Sequence, residues 1–158
     1  MSIRQRSTAQ MTAAAPDASV WVSANAGTGK TGVLVDRISR LLLSGVHPER
    51  ILCLTFTKAA AADMANRLST LLSAWSAMDE DRLGEELKAL GEAPVNAEKI
   101  TRAQQLFAMT LEAPEGLRIR TIHTFCEPLL GRFPLEAKIT PDFRVMDERD
   151  QLERHSEA

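Results

Sequence analysis

A chain of 158 residues, 44% of them apolar and 25% charged, can bury one core and lacks the bias of a disordered or fibrous sequence. Its formal net charge of −2 supplies no general basic field, so any affinity for nucleic acid has to come from local groups. No apolar run approaches the roughly 20 residues that span a bilayer, and no apolar segment follows Arg4 and Arg6, which predicts a cytoplasmic protein without a membrane partner.

Residues 3 to 15 carry modest helical signals that stop before Pro16. The run ASVWVS, Ala18 to Ser23, is short, rich in Val and Trp, and bounded by turn formers, which predicts a buried strand. From Lys30 to Leu43 the residues Val33, Leu34, Ile38, Leu41 and Leu42 recur on one face of a helix that ends at Ser44 and Gly45. After a turn at Pro48 and Glu49, ILCLTF (Ile51 to Phe56) is a near-continuous apolar run of the type buried on both faces of a parallel sheet. Strand, helix and strand within about 35 residues suit a right-handed crossover with parallel pairing.

The stretch TKAAAADMANRLSTLLSAW, Thr57 to Trp75, is alanine-rich and free of Gly and Pro, and Thr57 can cap the helix it predicts. Residues 79 to 112 read as two helices split between Gly91 and Pro94, LRIRTI (Leu117 to Ile122) alternates like a strand, and His123 to Phe133 is helical before Pro134. FRVM, from Phe143, suggests a short strand, and the last ten residues a polar helix. No repeat at a period of 20 to 50 residues is present. Cys53 and Cys126 lie far apart in apolar segments, without metal-ligand spacing, and read as buried, reduced thiols.

The chemistry concentrates in SANAGTGKTGV, Ser23 to Val33. Ala24, Asn25, Ala26, Gly27, Thr28, Gly29, Lys30 and Thr31 fit a phosphate-binding loop with alanine at its first position, where glycine is usual. Glycines tolerate positive φ, so successive amides can turn inward and form a nest for phosphate oxygens at the positive end of a helix. In that arrangement Lys30 reaches the β and γ phosphates of ATP, and the Thr31 hydroxyl ligates the bridging Mg2+. The bland alternative is a flexible glycine turn with an exposed lysine; the flanking strand and helix signals favour the phosphate loop.

Together with that loop, LTFTKAAAADM (Leu54 to Met64) and TIHTFC (Thr121 to Cys126) resemble the UvrD/Rep-like superfamily 1 DNA helicases. The resemblance is closest to the AddA type, the helicase-nucleases of bacterial double-strand-break repair, and covers most of the chain apart from 69 to 116. It implies an α/β fold: a RecA-like P-loop NTPase lobe with parallel strands, incomplete, its core at about 18–68 and 117–133 and a helical insertion at about 69–116. It implies ATP and Mg2+ as cofactors, single- and double-stranded DNA as substrate, and an AddB-like partner in a heterodimer.

Gln10, fourteen residues before Ala24, has a spacing similar to that of the family's adenine-pairing glutamine. The resemblance assigns DNA contacts to Thr55, Phe56, Thr57 and Lys58, with Phe56 stacking on a base, and to His123 and Thr124 on the single-strand backbone. Lys58 stands where relatives often carry Asn. Structural alternatives remain open: Gln10 as a solvent-facing helix residue, Phe56 as core, and His123 as a satisfied structural histidine. Asp147 and Glu148 are poor candidates for the magnesium and water pair of an ATPase, because Arg144 interrupts the strand that would present them.

The chain therefore reads as the N-terminal piece of a much longer enzyme, unable to unwind DNA by itself. Another phosphate-loop ATPase or small kinase, and a non-catalytic DNA-binding or interaction module, are the competing functions.

Overall fold

The structure, a computed structural model, describes residues 6–25, 27–114, 116–140 and 143. Its helices are α1 (Thr8–Ala13), α2 (Lys30–Leu43), α3 (Lys58–Ser76), α4 (Glu80–Ala89), α5 (Ala97–Glu112) and α6 (Ile122–Arg132). The strands are β1 (Leu52–Thr55), after a 3-10 turn at Pro48–Arg50, and β2 (Arg118–Thr121). The fold is thus α/β with a parallel pair of strands, as expected from the sequence. None of the described helices is long and apolar enough to cross a membrane.

Helical periodicity places the core. Met64, Leu68, Leu72 and Trp75 form one buried stripe on α3, and Ile38 and Leu42 of α2, Leu83 and Leu87 of α4 with Leu90 just past its end, and Ala103 and Leu106 of α5 close around it. Trp75 is fully buried and its indole nitrogen has no hydrogen-bond partner among the described residues, so its contribution is packing. The long helix predicted from Thr57 to Trp75 is present, with the Thr57 hydroxyl accepting from the Ala60 amide at 3.1 Å. The two helices predicted within 79–112 are capped by Asp79 and Asn96.

β1 and β2 pair in parallel with Cys53 opposite Ile119 and Thr55 opposite Thr121. Strand alternation turns Cys53 and Ile119 toward the helical core, whereas Leu52 and Leu54 stay 44% exposed. Burial of this strand on both faces, suggested by ILCLTF, is therefore not met. Both cysteines are free and half-buried. Burial raises the Cys53 pKa, which keeps its thiol protonated.

The predicted strand at Ala18 to Ser23 is corrected: this segment has no strand pairing, and Trp21 is 92% exposed. A strand needs a hydrogen-bonded neighbour, and β1 is paired with β2 instead. Parallel pairing is present, but between different partners from those the first crossover suggested. The suggested FRVM strand, apart from Phe143, the C-terminal helix, and Asp147 and Glu148 lie outside the described residues.

A partly buried link between helices is ionic. Glu92, after α4, accepts from Arg40 of α2 at 2.9 Å and from Lys99 of α5 at 2.7 Å. Burial opposes its charge, but the bonds from Lys99 and Arg40 prevail and hold its pKa below the ordinary 4.5. A carboxyl depressed in the folded state contributes stability that is present above its unfolded pKa and lost as pH falls through the folded value. Glu92→Gln is therefore expected to be less stable than wild type at pH 7 and to lose less on acidification below about pH 4.5, as urea unfolding across a pH series would measure.

Candidate functional site

Two features of the glycine loop set its geometry. Gly27 and Gly29 adopt left-handed φ values of 80° and 87°, a region costly for residues with a Cβ. The first helical bond of α2 runs from the Val33 amide to the Gly29 carbonyl at 3.1 Å, so the amides of the preceding turn lie outside the helical ladder.

With Gly29 at its N-cap, that turn also has no side-chain cap among the described residues. Each of the other described α-helices has one: Ser7, Thr57, Asp79, Asn96 and Thr121 all accept from a first-turn amide. The α2 N-terminus thus combines oriented donors with the positive end of a 14-residue helix. Lys30 is exposed and donates to the carbonyls of Ala24 and, at 2.7 Å, Asn25. The Thr28 hydroxyl also donates to Asn25 O, at 2.7 Å. The lysine is thereby folded onto its own loop, close to the donors it would assist. Thr31 opens the helix one residue later and is half-buried. Ala26 lies outside the described residues.

Gln10 has a local role that its spacing to the loop does not suggest. Its side-chain oxygen accepts from the Ser7 amide at 3.0 Å while its own amide donates to the Ser7 hydroxyl at 3.2 Å, a capping box that starts α1. Arginines of α2 hold the other end of α1. Arg40 donates to Met11 O at 3.0 Å, and Arg37 donates to Ala15 O and, at 2.7 Å, to Ala18 O.

The other candidate residues meet at the sheet. Because Thr55 stands opposite Thr121, β1 and β2 end level; α6 follows β2 at once, and α3 follows β1 after Phe56 and Thr57. Thr55 donates to Thr57 O at 3.0 Å, and Thr121 caps α6 by accepting from the Thr124 amide at 3.2 Å. Thr57, Lys58, His123 and Thr124 are exposed around these two helix starts. Phe56 between them is 84% exposed, which removes the reading of it as a core residue. Ligands of parallel sheets bind beyond such carboxyl ends. Among the described residues no cluster of three or more His, Cys, Asp or Glu could hold a metal ion.

Residues 5–158 match the UvrD/REP helicase N-terminal domain family, and the chain belongs to that family. It is 33% identical over 132 residues, 84% of its length, to an ATP-dependent helicase/nuclease component from Lactobacillus acidophilus. The proteins of the same name in Desulforamulus reducens and Heliobacterium modesticaldum are 36% identical over 135 residues and 33% over 136, covering 84% and 86% of the chain. These matches cover 9%, 9% and 8% of the relatives, so the chain spans less than a tenth of their length.

Exposure separates two neighbouring positions by their effect on folding. Phe56→Ala is expected to change stability by no more than about 0.5 kcal/mol, whereas Thr57→Ala, which removes the α3 cap, costs about 1 kcal/mol. Urea denaturation of the two variants checks the contrast.

Proposed function

We propose that this chain is the ATP-binding N-terminal part of an ATP-dependent DNA helicase-nuclease of AddA type, acting in double-strand-break repair with an AddB-like partner. The observation that carries this reading is the α2 N-terminus: amides outside the helical ladder, no side-chain cap, two left-handed glycines and a lysine at the same turn. The names of the relatives, which specify an ATP-dependent helicase/nuclease, support the same reading.

The residues fit a triphosphate. The uncapped amides donate to its negative oxygens, and Lys30 leaves the carbonyls of Ala24 and Asn25 to neutralise the β and γ phosphates. Thr31 would supply a hydroxyl for Mg2+, and an ion held there would offset charge on the phosphates. Gln10 contributes its amide to the adenine edge. The remaining loop residues, Ala24 to Gly29, shape the cradle.

Thr55 to Lys58, His123 and Thr124 would hold single-stranded DNA at the level strand ends. Phe56 offers a stacking face, and the two helix starts offer phosphate donors without requiring a basic surface. The segments at about 18–68 and 117–133 form the RecA-like part in this reading, and the helices at about 69–116 are an insertion. Strand separation needs a second lobe that closes over ATP, so the 158-residue chain binds without stepping.

Titration calorimetry with Mg-ATP at millimolar concentrations tests the reading. Lys30→Ala should weaken binding about tenfold or more with the circular dichroism unchanged. Equal affinity in both proteins would contradict it. Phe56→Ala and His123→Ala should weaken binding of a single-stranded oligonucleotide, and strand displacement by the 158-residue chain alone would contradict the requirement for a second lobe.

A further inference from the structure

We propose that Arg6 is a positioning residue for base recognition: by joining Asp36 of α2 and Glu86 of α4, it sets the pose of α1, and with it Gln10, against the helix that opens the phosphate loop. The inference rests on the nucleotide reading above.

α1 has six residues and buries none of them. A helix this short does not hold itself in water, so its place depends on what ties it down. At its far end the ties are the bonds from Arg37 and Arg40 to carbonyls of 11–18. At its near end they converge on Arg6, directly before the Ser7 capping box that holds Gln10.

The Arg6 side chain is 2% exposed. It grips Asp36 with two bonds, Nε to Oδ2 at 2.9 Å and Nη2 to Oδ1 at 3.1 Å, and reaches Glu86 Oε1 from Nη2 at 3.3 Å and Nη1 at 3.4 Å. Burial disfavours its charge, but Asp36 first and Glu86 second prevail, and its pKa is raised. A planar fork can serve two carboxylates at fixed angles, which an ammonium cannot. Asp36 lies six residues after Lys30, about 9 Å along the helix, so the grip is anchored on the element that presents the phosphate donors.

Glu86 adds a second consequence. An open cavity of about 380 Å³ adjoins this cluster, lined by Gly32 and Val35 of α2, Trp75 of α3 and Glu86 of α4. Arg6 therefore bridges α2 and α4 at the edge of a space that apolar side chains do not fill. Displacement of α4 would reach Gln10 through Arg6 and Ser7, without passing through the phosphate loop.

Base selectivity distinguishes this role from support of the fold. An amide that pairs with adenine meets reversed donors and acceptors on guanine, whereas tripolyphosphate has no base at all. In the full chain, Arg6→Met is expected to lower the preference for Mg-ATP over Mg-GTP about tenfold, with Mg-tripolyphosphate affinity unchanged within about twofold. Arg6→Lys should recover only part of the preference. The double variant with Gln10→Ala should lose no more than Gln10→Ala alone, because the two act as one unit.

A parallel fall in affinity for ATP and tripolyphosphate, or an unchanged ATP-to-GTP ratio, would overturn the proposal. Should Arg6→Met fail to fold, Glu86→Gln keeps the Asp36 pair and is expected to lower the ratio about twofold to threefold; an unchanged ratio there also overturns it. Wild-type protein that binds ATP and tripolyphosphate equally would overturn this inference alone. Binding of neither would overturn the phosphate site and this inference with it.

Discussion

The first turn of α2 has amide donors that, among the described residues, neither the helix nor a side chain satisfies. In a protein that caps its other described α-helices with Ser, Thr, Asp or Asn, this one begins at a left-handed glycine instead. With glycine at its N-cap, α2 forgoes about a few tenths of a kcal/mol relative to a helix capped by a side chain. Bound phosphate would restore that contribution and add charge pairing with Lys30. The helix behind this turn is anchored: α2 buries Val35, Ile38, Leu42 and Leu43 in the core, and its arginines hold α1 alongside.

The same division between a fixed scaffold and exposed ends recurs at the strands. Cys53 and Ile119 hold the parallel pair onto the helical core, while the chain beyond Thr55 and Thr121 turns outward with Phe56, Lys58, His123 and Thr124 exposed. These side chains contribute little to packing, which frees them for contacts with another molecule. Lys58 and His123 lie near helix starts whose dipoles also favour anions. A chain with net charge −2 can in this way meet a polyanion through local groups.

Much of this organisation is legible in the residues because it depends on short-range rules. Periodicity marks α2 from Lys30 to Leu43, Thr57 marks the start of α3, and the glycine spacing marks the loop. ASVWVS misleads because its composition fits a strand, whereas strand formation depends on a neighbour that composition does not reveal. Likewise, ILCLTF does not disclose that Leu52 and Leu54 stay exposed. The Arg6 cluster is invisible for a related reason: its carboxylates are 30 and 80 residues away, and no local pattern links them. The capping role of Gln10 is legible in principle, since Ser7 precedes it by three residues, but its spacing to the loop points to a different role.

The most direct measurement follows the backbone amides of 27–32 by two-dimensional NMR while inorganic tripolyphosphate and Mg2+ are added. Saturable shifts centred on Gly29, Lys30 and Thr31, with the amides of the capped starts of α4 and α5 unmoved, are expected if the uncapped turn is the phosphate site. Shifts spread evenly over all the helix starts, or absent from Gly29 to Thr31, would contradict it.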